Sequence, residues 1–468
     1  MKNIIEHLNR PASSLITGCF MAILVITINS CDSILEVTDP DIVTPDALNN
    51  EAGLQTLRAG SLGDLAVAMS GSSAGHGATT GLIVMSGLMS DEYDYSGTFP
   101  SRREGDTRIL QNTNTDIDRI FGNLHRARGT AELTIDLATE VGGDPDIISE
   151  MQSVAGYVNL LFAETFCAGI PFSKAPADGG DLEFGMPLSS QEMFQSASDW
   201  FDQAIATNSP NQDLTNLALV GKARALLGLG QIAEAANEVA SVPTEFVYNV
   251  EHSSNSLRQE NGIYTMTAVR RQYSIADGKG INGLMYRSSM DPRTPWDGGT
   301  EFGQDDITLY FNQLKYTSPS DPVVLASGIE ARLIEAEAAA QEGNAAEVAT
   351  IHNALRADIG LATLDLTGAN PISTLRADIG LAPLDLTGMS TEELVTNHFA
   401  ERAFWLYSTA HRHGDLRRLV RVYGRPIAEV FPTGDYFKGG QYGSDVAFLV
   451  PQSEANNPNY QGCLDLNP

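Results

Sequence analysis

Residues 218–243 read ALVGKARALLGLGQIAEAANEVASVP, and this stretch decides the fold class. Ala218, Gly221 and Ala223 place small side chains at helical spacing; Leu229-Gly230 interrupts the run; Ala233, Ala236 and Ala240 resume it; Pro243 ends it. Small residues let two helices approach closely, a Gly turns the chain between them, and a Pro cannot continue the second helix. The pattern predicts a helical hairpin. The same signal extends on both sides. Over residues 191–205, QEMFQSASDWFDQAI, the residues Phe194, Ala197, Phe201, Ala204 and Ile205 fall on one helical face. Comparable periodicity predicts helices over 45–69, 116–139, 146–166, 191–206, 214–240, 322–342, 345–359 and 391–420. Regular strands are hard to find, so the chain reads as mostly α.

The hairpin at 218–243 resembles a tetratricopeptide unit. Leu333, Ala336 and Ala340, followed by Gly343-Asn344 and Ala345, repeat the idea, and so does Ala155-Gly156-Tyr157 before Ala163. The alternative for any one unit is a generic helical hairpin. Residues 243–321 lose the helical period and are rich in Gly, Ser and aromatic residues. A long irregular excursion from a helical scaffold is the usual place for function. Residues 355–368, LRADIGLATLDLTG, recur at 375–388 as LRADIGLAPLDLTG. The duplicated segment 355–388 reads as an inserted surface excursion, because long loops add little closure entropy.

The N-terminus carries an export signal. Lys2 and Arg10 precede an apolar run over 20–28, FMAILVITI, and then Asn29, Ser30 and Cys31. This run is too short to span a bilayer permanently. Residues 1–30 are expected to be a lipoprotein signal peptide, with Cys31 as the lipid anchor. Cys19, after Leu15-Ile16-Thr17-Gly18, is the competing site, and ordinary secretion is the third reading. Residues 31–46, rich in Asp and Pro, read as a tether, and 47–468 as one domain. Cys167 and Cys463 belong to an exported chain and predict a disulfide, the alternative being two buried free thiols. Such a long closure stabilises by about 4–5 kcal/mol in chain-entropy terms. The formal charge of -30 argues against nucleic acid as a partner.

Several segments together resemble the SusD/RagB family of outer-membrane nutrient-binding lipoproteins. Residues 155–171, AGYVNLLFAETFCAGIP, are similar to the family's helix ending in an aromatic, a Gly and a Pro. Ser90-Asp91-Glu92 and Asp291-Pro292-Arg293 match its SDE-like and DPR elements. Lys315-Tyr316 and Glu330-Ala331-Arg332 through Glu335-Ala336-Glu337-Ala338 are similar to its AEA-containing helix. Glu401-Arg402-Ala403-Phe404-Trp405, Asp415-Leu416-Arg417-Arg418 and the closing residues 448–458 complete the match. Residues 409–413, TAHRH, depart from the family's usual Glu-Gly-Arg and put the local pairing in question. The resemblance implies a helical scaffold of tetratricopeptide-like pairs with a less regular ligand-binding half. It also implies delivery of a nutrient, an oligosaccharide above all, to a TonB-dependent SusC-like transporter in the outer membrane. The competing reading is a tetratricopeptide-type envelope scaffold without a small ligand.

No cofactor, metal or catalytic set is expected. Gly228-Leu229-Gly230-Gln231-Ile232-Ala233 fits a dinucleotide motif in letters, but helix lies on both sides. His411 and His413 are two apart and would diverge on a helix. Acidic residues are too numerous for a glycosidase pair to stand out. Sugar rings need aromatic faces beside planar polar groups. Tyr273, Tyr286, Trp296 and Phe302, with Asn282, Arg287, Arg293 and Asp297, supply them in the irregular segment. Tyr93 and Tyr95, beside Asp91, Glu92 and Asp94, form a second cluster. The ligand residues expected from this reading are Trp296, Tyr286, Arg293, Asp297, Tyr93, Tyr95 and Asp91, with Trp296 the best single ring. The segments 91–99 and 264–316 are expected to meet in space; the alternative for any one ring is local packing.

Overall fold

The computed structural model describes Leu48 and residues 50–176, 180–361 and 389–467. The residues read as signal peptide and tether, with Cys19 and Cys31, lie outside the described residues, as does the second copy of the duplicated segment.

The helices follow the apolar periods closely. They are α1 (Glu51–Ser70), α2 (Leu82–Met89), α3 (Pro100–Thr107), α4 (Thr115–Val141), α5 (Pro145–Thr165), α6 (Ser190–Ala206), α7 (Gln212–Gly228) and α8 (Ile232–Val239). After the irregular segment come α9 (Gly328–Gln341), α10 (Ala345–Asp358), α11 (Thr391–Trp405) and α12 (Arg412–Arg421). Starts are set by side chains that accept orphan backbone N–H groups. Ser189 and Ser390 form reciprocal capping boxes with Glu192 and Glu393, and Asn50, Asn114, Asp144, Asn211 and Asn344 cap five others.

Each helix packs on the next in a chain of neighbours: α1 on α4, α4 on α5, α5 on α6, α6 on α7, α7 on α8, α8 on α9, and α9 on α10 and α11. Phe201 of α6 is the wedge between α5 and α7. A Cβ added at Gly156 would lie 2.8 Å from its ring, and one at Gly221 only 2.3 Å. Here the small residues noted in the sequence are the groove that receives an aromatic ridge.

Three expectations need correction. Residues 322–342 do not begin as helix: Val323–Ser327 is a strand paired antiparallel to Val247–Val250, and Ser327 then caps α9. A run of Val-Val-Leu suits a pleated strand better than a helix start. Residues 391–420 are two helices, because Ser408 and Ala410 both take left-handed backbone, with φ 56 and 67. Helices α2 and α3 went unread. All of α2 is buried, so it shows no apolar face, and α3 is polar throughout.

The helical half encloses an ionic network. Glu330 of α9 meets His411 at 2.9 Å, and Glu337 meets Arg418 at 2.8 Å. Arg402 meets Asp415 at 2.9 Å, Arg224 of α7 pairs with Glu164 of α5, and Arg412 pairs with Asp91. Burial pushes the Glu330 carboxyl up, but His411, Arg224 and Arg402 outweigh it and hold it at about 2. Ionised groups persist in such an interior only when their partners replace water. His411 and Arg412 supply two of these contacts, so residues 409–413 take part in the network.

Cys167, just past α5, is joined to Cys463 by a disulfide with the Cα atoms 5.6 Å apart. Short bridges flank it, Phe166 with Phe448 and Ala168 with Asp465. The final segment is thereby fastened to the end of α5.

Candidate ligand cleft

The irregular half is organised by two small antiparallel pairs. One joins Tyr93–Tyr95 to Tyr273–Ile275, the other Trp296–Phe302 to Leu309–Gln313. The segments 91–99 and 264–316 therefore do meet. The pairs are tied together at Ser274, whose hydroxyl accepts from Phe311 N at 2.8 Å and donates to Phe311 O at 3.2 Å.

A cleft of about 620 Å³ opens on this assembly, with Asp94, Arg287, Phe311, Phe437, Lys438 and Tyr442 among its walls. Its rim carries exposed apolar side chains: Ile307 is 72% exposed, Leu309 48% and Phe437 47%. Lys279 closes the floor, donating to Tyr93 O at 2.6 Å and to Asp106, which also accepts from Tyr436 at 2.7 Å. Lys438 is held by Asp305 at 2.6 Å.

Arg287 and Asp94 are among the polar groups of the cleft that are left over. The Arg287 guanidinium lies 3.6 Å above the Phe311 ring, and among the described residues it makes no hydrogen bond or ion pair. Burial lowers it below its ordinary value, against the opposing pull of Asp277 and Asp94. The Asp94 carboxyl likewise accepts no hydrogen bond from the described residues. Burial pushes it up to about 6, against Lys279 and with Asp106 adding to the rise. A cleft with apolar walls and a few uncommitted polar groups is the ordinary form of a small-ligand site.

Two other clefts are of similar size, about 780 and 640 Å³. Their charged walls are more fully answered from within. Arg128 pairs with Glu132 in the first, and Arg58 with Glu150 and Arg258 with Asp64 in the second.

Most of the residues expected to touch ligand are interior, and those expectations are corrected. Tyr93, Tyr95, Tyr273 and Tyr286 have no exposed surface. Tyr93 bonds to Ser408, the Tyr95 hydroxyl accepts from Phe99 N, and Tyr286 stacks among Phe404 and Tyr407. Asp91 is buried against Arg412. Arg293 lies between Asp291 and Glu401, each at 2.7 Å, and beside the Phe404 and Trp405 rings. It fastens the irregular half to α11. Asn282 is spent on the carbonyls of Ala428 and Phe431. Trp296 is half-buried behind the cleft: its edge meets Phe311 at 5.6 Å, and its ring N–H donates to Arg287 O at 3.1 Å. Asp297 and Phe302 are exposed on the neighbouring strand.

Phe311, Phe437, Lys438 and Tyr442 escaped the sequence reading. A signal for Asp94 was present: in a strand, Tyr93 and Tyr95 share one face and Asp94 takes the other. Gly71-Ser72-Ser73-Ala74-Gly75 fits the letters of a hydrolase nucleophile elbow. Ser73 is nevertheless buried against the Thr265 hydroxyl at 2.5 Å, outside any strand-to-helix turn.

No family description and no curated protein matches the sequence. Solved structures do match. A SusD superfamily protein from Bacteroides vulgatus superposes with a TM-score of 0.62 at 15% identity, covering 89% of this chain and 99% of its own. A SusD-like carbohydrate binding protein from the same organism gives 0.59 at 13%, covering 87% and 97%. The surface glycan-binding protein A from Bacteroides uniformis gives 0.64 at 10%, covering 88% and 99%. Over nearly its whole described length, then, this chain has the SusD-like fold.

Proposed function

We propose that the protein is a cell-surface, lipid-anchored binding protein that captures an oligosaccharide and hands it to a TonB-dependent SusC-like transporter in the outer membrane. The observation that carries the reading is the cleft itself: aromatic side chains at Phe311, Phe437 and Tyr442, apolar rims, and the polar groups Arg287 and Asp94, with no partner among the described residues. Sugar C–H faces suit the first, and sugar hydroxyls suit the second. The printed descriptions of similarly folded proteins, carbohydrate binding and surface glycan-binding, support the same class of ligand. No helix among the described residues is long and apolar enough to cross a membrane; in this reading the Cys31 lipid provides the attachment. Trp296 acts as the ring that holds Phe311 and Arg287 in place, and Asp297 as a polar group beside them.

The test is a glycan array and calorimetry on the purified protein. Binding to oligosaccharides that falls by roughly 1–3 kcal/mol in Phe311→Ala, by analogy with aromatic stacking elsewhere, supports the cleft. Absence of binding to every glycan favours the scaffold reading instead. Metabolic labelling with a fatty acid should mark the wild type and spare Cys31→Ala; equal labelling would point to Cys19.

A further inference from the structure

The chain carries a formal charge of -30, so an anion approaches it against a general repulsion. Any anion site must hold a cation that the protein has not already neutralised. Around the cleft most cations are neutralised. Lys279 is paired with Asp106, Lys438 with Asp305, and Arg271 with Glu301. Arg287 is the exception: no carboxylate among the described residues pairs with it, and its Nε is buried without a partner. Asp277, whose charge acts on Arg287, spends one oxygen on Arg287 N, Ser288 N and the Ser288 hydroxyl, which fixes the turn and not the guanidinium.

The guanidinium is also held in a definite plane. It lies 3.6 Å over the Phe311 ring, and Phe311 is in turn pinned by Ser274 and backed by Trp296. An arginine stacked by its face keeps its N–H edge for a coplanar partner, and a carboxylate matches that fork with two parallel hydrogen bonds. A neutral hydroxyl uses neither the charge nor the planarity.

We propose that the cleft recognises an acidic saccharide, with Arg287 binding a uronic-acid carboxylate edge-on and Asp94 accepting from a neighbouring hydroxyl. This rests on the oligosaccharide reading above and narrows it. The probes are uronate oligosaccharides, the same oligosaccharides with their carboxylates methyl-esterified, and neutral oligosaccharides, titrated calorimetrically into the purified protein. The acid form should bind at least about tenfold more tightly than the ester, as expected of charge-assisted bidentate bonds. Arg287→Gln should erase that preference, so that acid and ester bind alike, and Arg287→Lys should restore only part of it. Equal binding of acid and ester by the wild type, binding of neutral oligosaccharides alone, or a preference that survives Arg287→Gln overturns the acidic assignment. The first two leave the oligosaccharide reading intact. Failure of all three probes to bind overturns both.

Discussion

Arg418 and Arg287 are both arginines packed against a phenylalanine ring, 5.1 Å from Phe399 in one case and 3.6 Å from Phe311 in the other. Their surroundings differ. Arg418, in the helical half, is enclosed by Glu337 and Asp415, which answer its charge. Arg287, in the irregular half, is walled by rings and left without a counter-ion among the described residues. Burying a charge is costly unless a partner replaces water. An enclosed and paired arginine therefore serves the fold, while one kept on a cleft wall without a partner serves something that arrives from outside.

The largest effect should come from breaking a pair in the helical half. Arg418→Ala strands Glu337 in the interior and is expected to cost roughly 3–5 kcal/mol in urea denaturation. Arg287→Ala should change stability little. Similar losses at both sites would erase the distinction between the two halves.

Titration separates them next. Burial first, partly opposed by the Ser408 backbone, pushes Glu92 up to about 8 from 4.5. A carboxyl raised in the folded state contributes stability that is full below about pH 4.5 and gone once pH has risen through about 8. Glu330 and Glu337, held low by their partners after burial is overcome, act oppositely: their contribution is present above pH 4.5 and lost as pH falls. Thermal unfolding followed across pH should decline between these limits on the alkaline side. Glu92→Gln should flatten that limb, by an amount on the order of a few kcal/mol. An unchanged slope would place its origin elsewhere.

A smaller effect is expected at Trp296→Ala. Trp296 supports Phe311 from behind the cleft, so affinity for the oligosaccharide should fall by less than in Phe311→Ala, with the melting temperature nearly constant. A collapse of melting would make the ring part of the core. The smallest effect tests the turn between α11 and α12. Ala410 stands at φ 67, which a glycine adopts freely, so Ala410→Gly should stabilise by about 1 kcal/mol or less. A loss of stability there would show that the methyl group matters more than the backbone.

The fold was legible because its signals are local and repeated. Phe201 with Gly156 and Gly221, and the caps at Ser189 and Ser390, are each written within a few residues of the helix they shape. The motifs that resemble SusD/RagB proteins turn out to be interior: Glu330, Glu337, Arg402, Asp415 and Arg418 are the buried ionic network, and Arg293 is a clamp. They therefore spoke about architecture and said little about ligand. The cleft was half legible. The meeting of 91–99 with 264–316 could be inferred from composition, but aromatic content alone does not reveal which rings face outward. Tyr93, Tyr95 and Tyr286 look like ligand residues by type and are consumed by packing. Phe437 and Tyr442 arrive from a distant segment with no periodicity to announce them.

The disulfide sets an order of events. Cys463 follows Cys167 by 296 residues, so the bond can close only after almost the whole chain has been synthesised. Until then Cys167 stands as a thiol at the end of α5, and all of α6 to α12 lies in the chain between the two sulfurs. A chain cut short just before Cys463 would contain every helix from α1 to α12 and still carry Cys167 without its sulfur partner.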